Sequence, residues 1–203
     1  VLAYGHCFIV DEENHVVDCT EDWATYADGD ARPMLLRTIA PMSPTVVHRR
    51  AALERHGWNE RARLEDYELY LRLAPEGGFA FDPRTLAGWR GHGANTSRGQ
   101  RMMLDEQLAA QRRVLPTYGL GAEEIEKLHA RLRFARAEEF LRLGEKREAL
   151  GLALSNLRGG ADPRRERRCH VGSGGGHHAG REGGGVHAVL GRGDPVRVDR
   201  LVV

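Results

Sequence analysis

With 203 residues, 41% hydrophobic and 29% charged, the chain has enough apolar side chain for one folded domain plus an appendage, and too much to be wholly disordered. A formal net charge of +1 gives no broad positive field and so no basis for nucleic acid as a partner. No apolar run approaches the ~20 residues of a membrane-spanning helix, and no charged stretch followed by an apolar one reads as a signal peptide. Cys7, Cys19 and Cys169 are an odd set without C-x-x-C spacing, which reads as reduced thiols rather than a disulfide framework or zinc site. The expected location is cytoplasmic, or peripheral at the inner face of a membrane.

Val1 to Val10 is almost continuously apolar, the pattern of a strand covered on both faces. A chain that opens inside a strand is expected to be a piece of a longer one. Asp11 to His15 is a polar turn, and Val16-Val17-Asp18 returns as a short strand. Thr20 to Pro33 reads as loop, Pro44 to His48 as strand, and Arg50 to His56 as a short helix stopped by Gly57. The next helix starts near Leu64. Tyr67, Tyr70, Leu71 and Ala74 form its apolar stripe, widened by Leu69 and Leu73, and Pro75 with Gly77-Gly78 ends it.

Phe79-Ala80-Phe81 and Leu86 to Trp89 read as two short strands. Ser97 to Gln100 has the S-x-x-Q form of a capping box, opening a helix with Leu104, Leu108, Gln111 and Leu115 on one face. Beyond Pro116 the character changes. Ile125, Leu128, Leu132, Ala135 and Phe140 form one helical pattern, Gly144 interrupts it, and Ala149 to Leu157 forms a second. The pair is a hairpin of the tetratricopeptide kind, which cannot bury its apolar face alone. From Arg164 onward, glycine, arginine and histidine dominate without helical or strand period until Val186. That composition is expected of a disordered or frameshifted tail. Its histidines, at 170, 177, 178 and 187, would allow a metal-binding reading resting on the tail alone.

Two short stretches carry possible chemistry. Glu65-Asp66 opens the Leu64 helix, where the dipole favours acids in any protein. The apolar stripe beside Asp66 would hold that carboxylate rigidly, as a general base requires. Trp89-Arg90-Gly91-His92, followed by Asn95 and Ser97, ends a strand. Its glycines permit close backbone approach, Arg90 can pair with phosphate oxygens, and the helix start near Ser97 offers amides to an anion. Trp89 reads as core before it reads as a platform for a sugar. Asp28-Gly29-Asp30 is a literal D-x-D of the sort that can hold a divalent cation, but it lies in a turn-rich stretch where Asp and Gly are expected anyway.

Met42-Ser43-Pro44 through Arg49-Arg50, Leu53-Glu54-Arg55-His56-Gly57, Glu65-Asp66 with Leu71-Arg72-Leu73, and Trp89-Arg90-Gly91-His92 with Asn95 and Ser97 together resemble family 2 glycosyltransferases of the GT-A fold. The resemblance runs over roughly Val1 to Leu115. It implies an α/β fold, a partial, truncated Rossmann-like GT-A sheet with helices over residues 1–116; the helical hairpin, over 117–160, and the tail, over 161–203, read from the residue pattern, would follow it. It implies a nucleotide-sugar donor, an acceptor of unspecified class, and a divalent cation, manganese or magnesium. Asp66 would be the base and Glu65 an orienting neighbour, while Glu68 on the same helix would matter little. Arg90, Trp89, Asn95 and Ser97 would meet substrate or diphosphate, and His92 the metal. The donor-binding half would precede Val1, so Asp28-Gly29-Asp30 would be a decoy and the isolated chain inactive. The alternative is a non-catalytic binding module working through the hairpin.

Overall fold

A computed structural model describes residues 1–92 and 99–158. Asn95, Ser97, the capping box at Ser97, Cys169 and everything expected of residues 161–203 lie outside the described residues. The chain divides into two compact units, one comprising Val1–Val114 and the other starting at Leu115.

The first unit is mixed α/β. Its strands are β1 (Leu2–Val10), β2 (Val16–Cys19), β3 (Val47–His48) and β4 (Phe79–Arg90), and its helices α1 (Arg32–Leu36), α2 (Arg50–His56), α3 (Glu65–Leu73) and α4 (Gln100–Val114). β1 is the spine of a four-stranded mixed sheet. β4 runs parallel along one edge of it, from Leu2↔Phe79 to Val10↔Arg90. The other edge is shared by β3, antiparallel at Leu2 and Ala3, and β2, antiparallel at Phe8 to Val10. Leu2, Tyr4 and His6 are buried on one face of β1 and Cys7 on the other, where Ala3 is exposed.

Three local expectations need correction. Phe79 to Trp89 is not two strands but part of one of 12 residues. Two extra β4 residues, Pro83 and Arg84, intervene between the pairs Gly5↔Asp82 and His6↔Thr85, and one more, Leu86, precedes Cys7↔Ala87. These bulges interrupt the apolar alternation without ending the strand, and they accommodate a proline that cannot donate to a ladder. Pro44 lies in a 3-10 turn, Ser43–Thr45, which leaves only Val47–His48 paired as a strand. The stretch read as loop holds a 3-10 turn at Thr20–Asp22 and the start of α1, where Pro33 stands in the first turn, a position that tolerates a missing N–H. Five residues are too few to show a helical period.

α3 supplies the core. Tyr67, Leu69, Tyr70, Leu71 and Leu73 are each at most 2% exposed. Its polar anchors are specific. Tyr67 donates its hydroxyl to the Leu35 carbonyl at 2.7 Å and receives the Gln111 amide at 2.8 Å. The same Gln111 nitrogen reaches the Leu36 carbonyl at 3.2 Å. A glutamine on the otherwise apolar face of α4 therefore satisfies the last carbonyls of α1, which a helix cannot satisfy internally.

The second unit contains a 3-10 turn, Leu115–Tyr118, and the hairpin α5 (Ala122–Arg142) and α6 (Lys146–Arg158). Gly144, at φ 80°, makes the reversal between them. The expected α5 stripe is rotated. Ala135 is exposed, whereas Ile125, His129, Ala130, Arg133, Ala137 and Phe140 are buried. The cause is a polar seam: Arg133 Nε donates to Asn156 Oδ1 at 2.7 Å, and Asn156 Nδ2 donates to the Ala130 carbonyl at 3.0 Å. Among the described residues no helix is long and apolar enough to cross a membrane.

Candidate active site

Asp66 occupies the first turn of α3, half-buried. Leu64, the residue before the helix, offers no side-chain cap, so the carboxylate itself meets the open amides: Oδ1 accepts the Tyr67 N–H at 2.6 Å. Oδ2 accepts the Ser43 hydroxyl in a short hydrogen bond. The carboxylate is thus held from two sides while part of it faces solvent. Glu65 is exposed.

Tyr70, one helical turn on, brings a buried hydroxyl to the same place. Burial, and then the Asp66 charge, push its phenol well above the ordinary range, with Ser43 acting in the opposite sense. The Tyr70 ring stacks on His48 of β3 at 6.0 Å and 22°. Burial holds the His48 imidazole below its ordinary value, and its Nε2 is buried without a hydrogen-bond partner among the described residues. Trp58 then meets His48 edge-on, at 5.9 Å and 79°. Ser43, Asp66, Tyr70, His48 and Trp58 form a connected cluster of which sequence reading proposed only Asp66. The available signal was spacing, since a tyrosine four residues beyond an acid on a helix stands beside it.

Glu68 is not an idle neighbour. It is 4% exposed, receives the Asn59 amide at 2.7 Å and pairs with Arg113 of α4 at 2.6 Å. This carboxylate fastens α3 to α4 and to the loop before α3.

The strand-end candidates have a different setting. Arg90 donates Nη1 to the Glu12 carbonyl at 2.9 Å and Nη2 to Asn14 Oδ1. It thereby holds the β1–β2 turn, where Asn14 takes a left-handed φ of 69°. Trp89 is half-buried opposite Ile9 and His92 is exposed. The hydrogen bonds that fix Asp66 and those that fix Arg90 involve different segments, so they do not by themselves gather the two into one cleft. Among the described residues no three His, Cys, Asp or Glu side chains converge as a metal site would require. The D-x-D is structural: Asp28 Oδ1 accepts the Phe81 N–H at 3.1 Å, Gly29 bridges to Phe79, and Asp30 clasps Arg32 at 2.8 and 2.9 Å.

Comparison with protein-family models, with curated proteins and with solved structures gave no match.

Proposed function

We propose that this chain is the acceptor-side part of an inverting glycosyltransferase with a GT-A-like sheet, related to family 2. The observation that carries the reading is the setting of Asp66: a half-exposed carboxylate, held by Ser43 and the Tyr67 amide, on a helix locked into the core. Such a group can take a proton without moving. In the reaction Asp66 takes the proton of an acceptor hydroxyl as its oxygen bonds to the anomeric carbon. The bond from that carbon to the diphosphate oxygen breaks, and the nucleoside diphosphate leaves with the electron pair from the opposite face. Glu65 orients the loop around the base.

Trp89, Arg90, Asn95 and Ser97 are proposed for the diphosphate side. Arg90 would serve two purposes there, since its guanidinium also holds the β1–β2 turn. A magnesium or manganese ion would neutralise the leaving diphosphate, with His92 as this chain's ligand. A lone exposed imidazole does not fit such an ion by itself. The test is nucleoside diphosphate release from a panel of nucleotide sugars, by a form of the protein that carries a donor-binding half. Release that depends on an added acceptor supports the reading. Absence of release with every donor and acceptor pair contradicts it.

Exposed Leu141, Leu143, Leu150, Leu154 and Leu157 on the hairpin favour a second reading, a binding module that docks a partner. Under it, Asp66→Asn leaves function in the source organism intact while the double substitution Leu150→Glu, Leu154→Glu abolishes it. Complementation of a deletion strain reads both.

A further inference from the structure

Trp58 is the exposed aromatic residue of the described structure, 49% accessible, where every other aromatic side chain is buried or half-buried. An indole left in water forgoes a large burial gain. Its loop is nevertheless fixed on both flanks. Before it, Arg72 donates Nη1 to the His56 carbonyl at 2.7 Å and Nη2 to the Gly57 carbonyl at 3.0 Å. Gly57, at φ 60°, ends α2 and turns the chain outward. After it, the Asn59 amide is held by buried Glu68 at 2.7 Å. The ring itself rests edge-on against His48. This residue is presented, then, rather than left over.

From Trp58 an aromatic row leads inward to the carboxylate. The steps are 5.9 Å to His48 and 6.0 Å on to Tyr70, whose hydroxyl lies in the field of Asp66. The exposed indole face is electron-rich and matches the C–H face of a pyranose. A lipid tail would want a longer apolar groove, and a peptide would want an open strand edge or a groove.

We propose that Trp58 is the stacking platform for a sugar ring of the acceptor, so that the acceptor is a saccharide. This rests on the reading of Asp66 as the base. Its test needs no turnover. The indole N–H resonances of the full chain are followed by ¹H–¹⁵N NMR during titration with soluble oligosaccharides of glucose, galactose, mannose and N-acetylglucosamine. The expected result is saturable movement of the Trp58 resonance, with Trp23 still, by at least one of them. Trp58→Ala should raise its Kd about tenfold, and Trp58→Tyr should restore most of the affinity. Stillness of Trp58 throughout, or equal affinity in Trp58→Ala, would overturn the proposal. Loss of transfer in Asp66→Asn beside unchanged saccharide affinity in Trp58→Ala would overturn the platform and keep the base. Saccharide binding at Trp58 with normal transfer in Asp66→Asn would overturn the base and keep Trp58 as a saccharide site.

Discussion

Two carboxylates on one helix, two residues apart, have opposite occupations. Asp66 is half-exposed and, among the described residues, held by Ser43 and a backbone amide. Glu68 is buried and saturated by Asn59 and Arg113. Glu68→Gln keeps the shape but removes the ion pair and turns one acceptor oxygen into a donor. Arg113 is 44% exposed, so water can take over its charge and the full penalty of a stranded buried ion does not arise. The expected loss is about 1–3 kcal/mol of stability, read by urea denaturation. A Glu68→Gln protein as stable as the parent would show that the clasp between α3 and α4 contributes nothing.

At the scale of elements, the β1–β4 pair depends on one missing methyl. A Cβ on Gly5 would stand 2.7 Å from Leu86 Cδ1 and 2.8 Å from the carbonyl oxygens of both Arg84 and Asp82. Two of those neighbours are backbone of the bulge and cannot rotate away. Gly5→Ala is therefore expected to cost about 1–3 kcal/mol and to raise amide exchange along β1 and β4, both measurable by hydrogen exchange with denaturation. Unchanged exchange would mean that the bulge yields freely.

α2 and the end of α3 are joined by Glu76, which receives Arg55 at 2.6 Å as well as His56. These partners, Arg55 first, hold the Glu76 carboxyl down to about 2, from an ordinary 4.5. Because the folded value is the lower one, the stabilisation is complete above about 4.5 and is lost as pH falls from there towards about 2. Melting temperature followed against pH should show the parent's advantage over Glu76→Gln shrinking through that window. An advantage independent of pH would exclude the ion pair as its source.

Over the whole molecule, periodicity made the long elements legible. The continuous apolar run of β1, the stripe of α3 and the two helices of the hairpin follow directly from residue order, because burial imposes a period on it. Asp66 was legible for the same reason, as an acid opening an amphipathic helix. What stayed hidden depends on pairing between distant segments. Pro83 made β4 look like two strands, because a bulge is defined by its partner strand. Arg133 and Asn156 turned the α5 face so that Ala135 is exposed and Leu128 and Leu132 are half-buried, while Leu152 of α6 stays buried. Ser43 meets Asp66 from a turn, while His48 stacks on Tyr70 from a two-residue strand and Trp58 meets His48 from a loop, and none of these segments carries a period. The part Glu68 plays in packing was hidden because Asn59 and Arg113 stand 9 and 45 residues away.

The central claim is that Asp66 is the base of a sugar transfer, and steady-state kinetics of Asp66→Asn test it most directly. The measurement uses a form of the protein that carries a donor-binding half, with donor affinity determined separately by calorimetry. The account predicts a fall in kcat of about 10²–10⁴-fold with donor affinity unchanged, because Asp66 meets the acceptor hydroxyl only as it reacts. Near-normal turnover by Asp66→Asn, in a protein that still folds and binds donor, would contradict it.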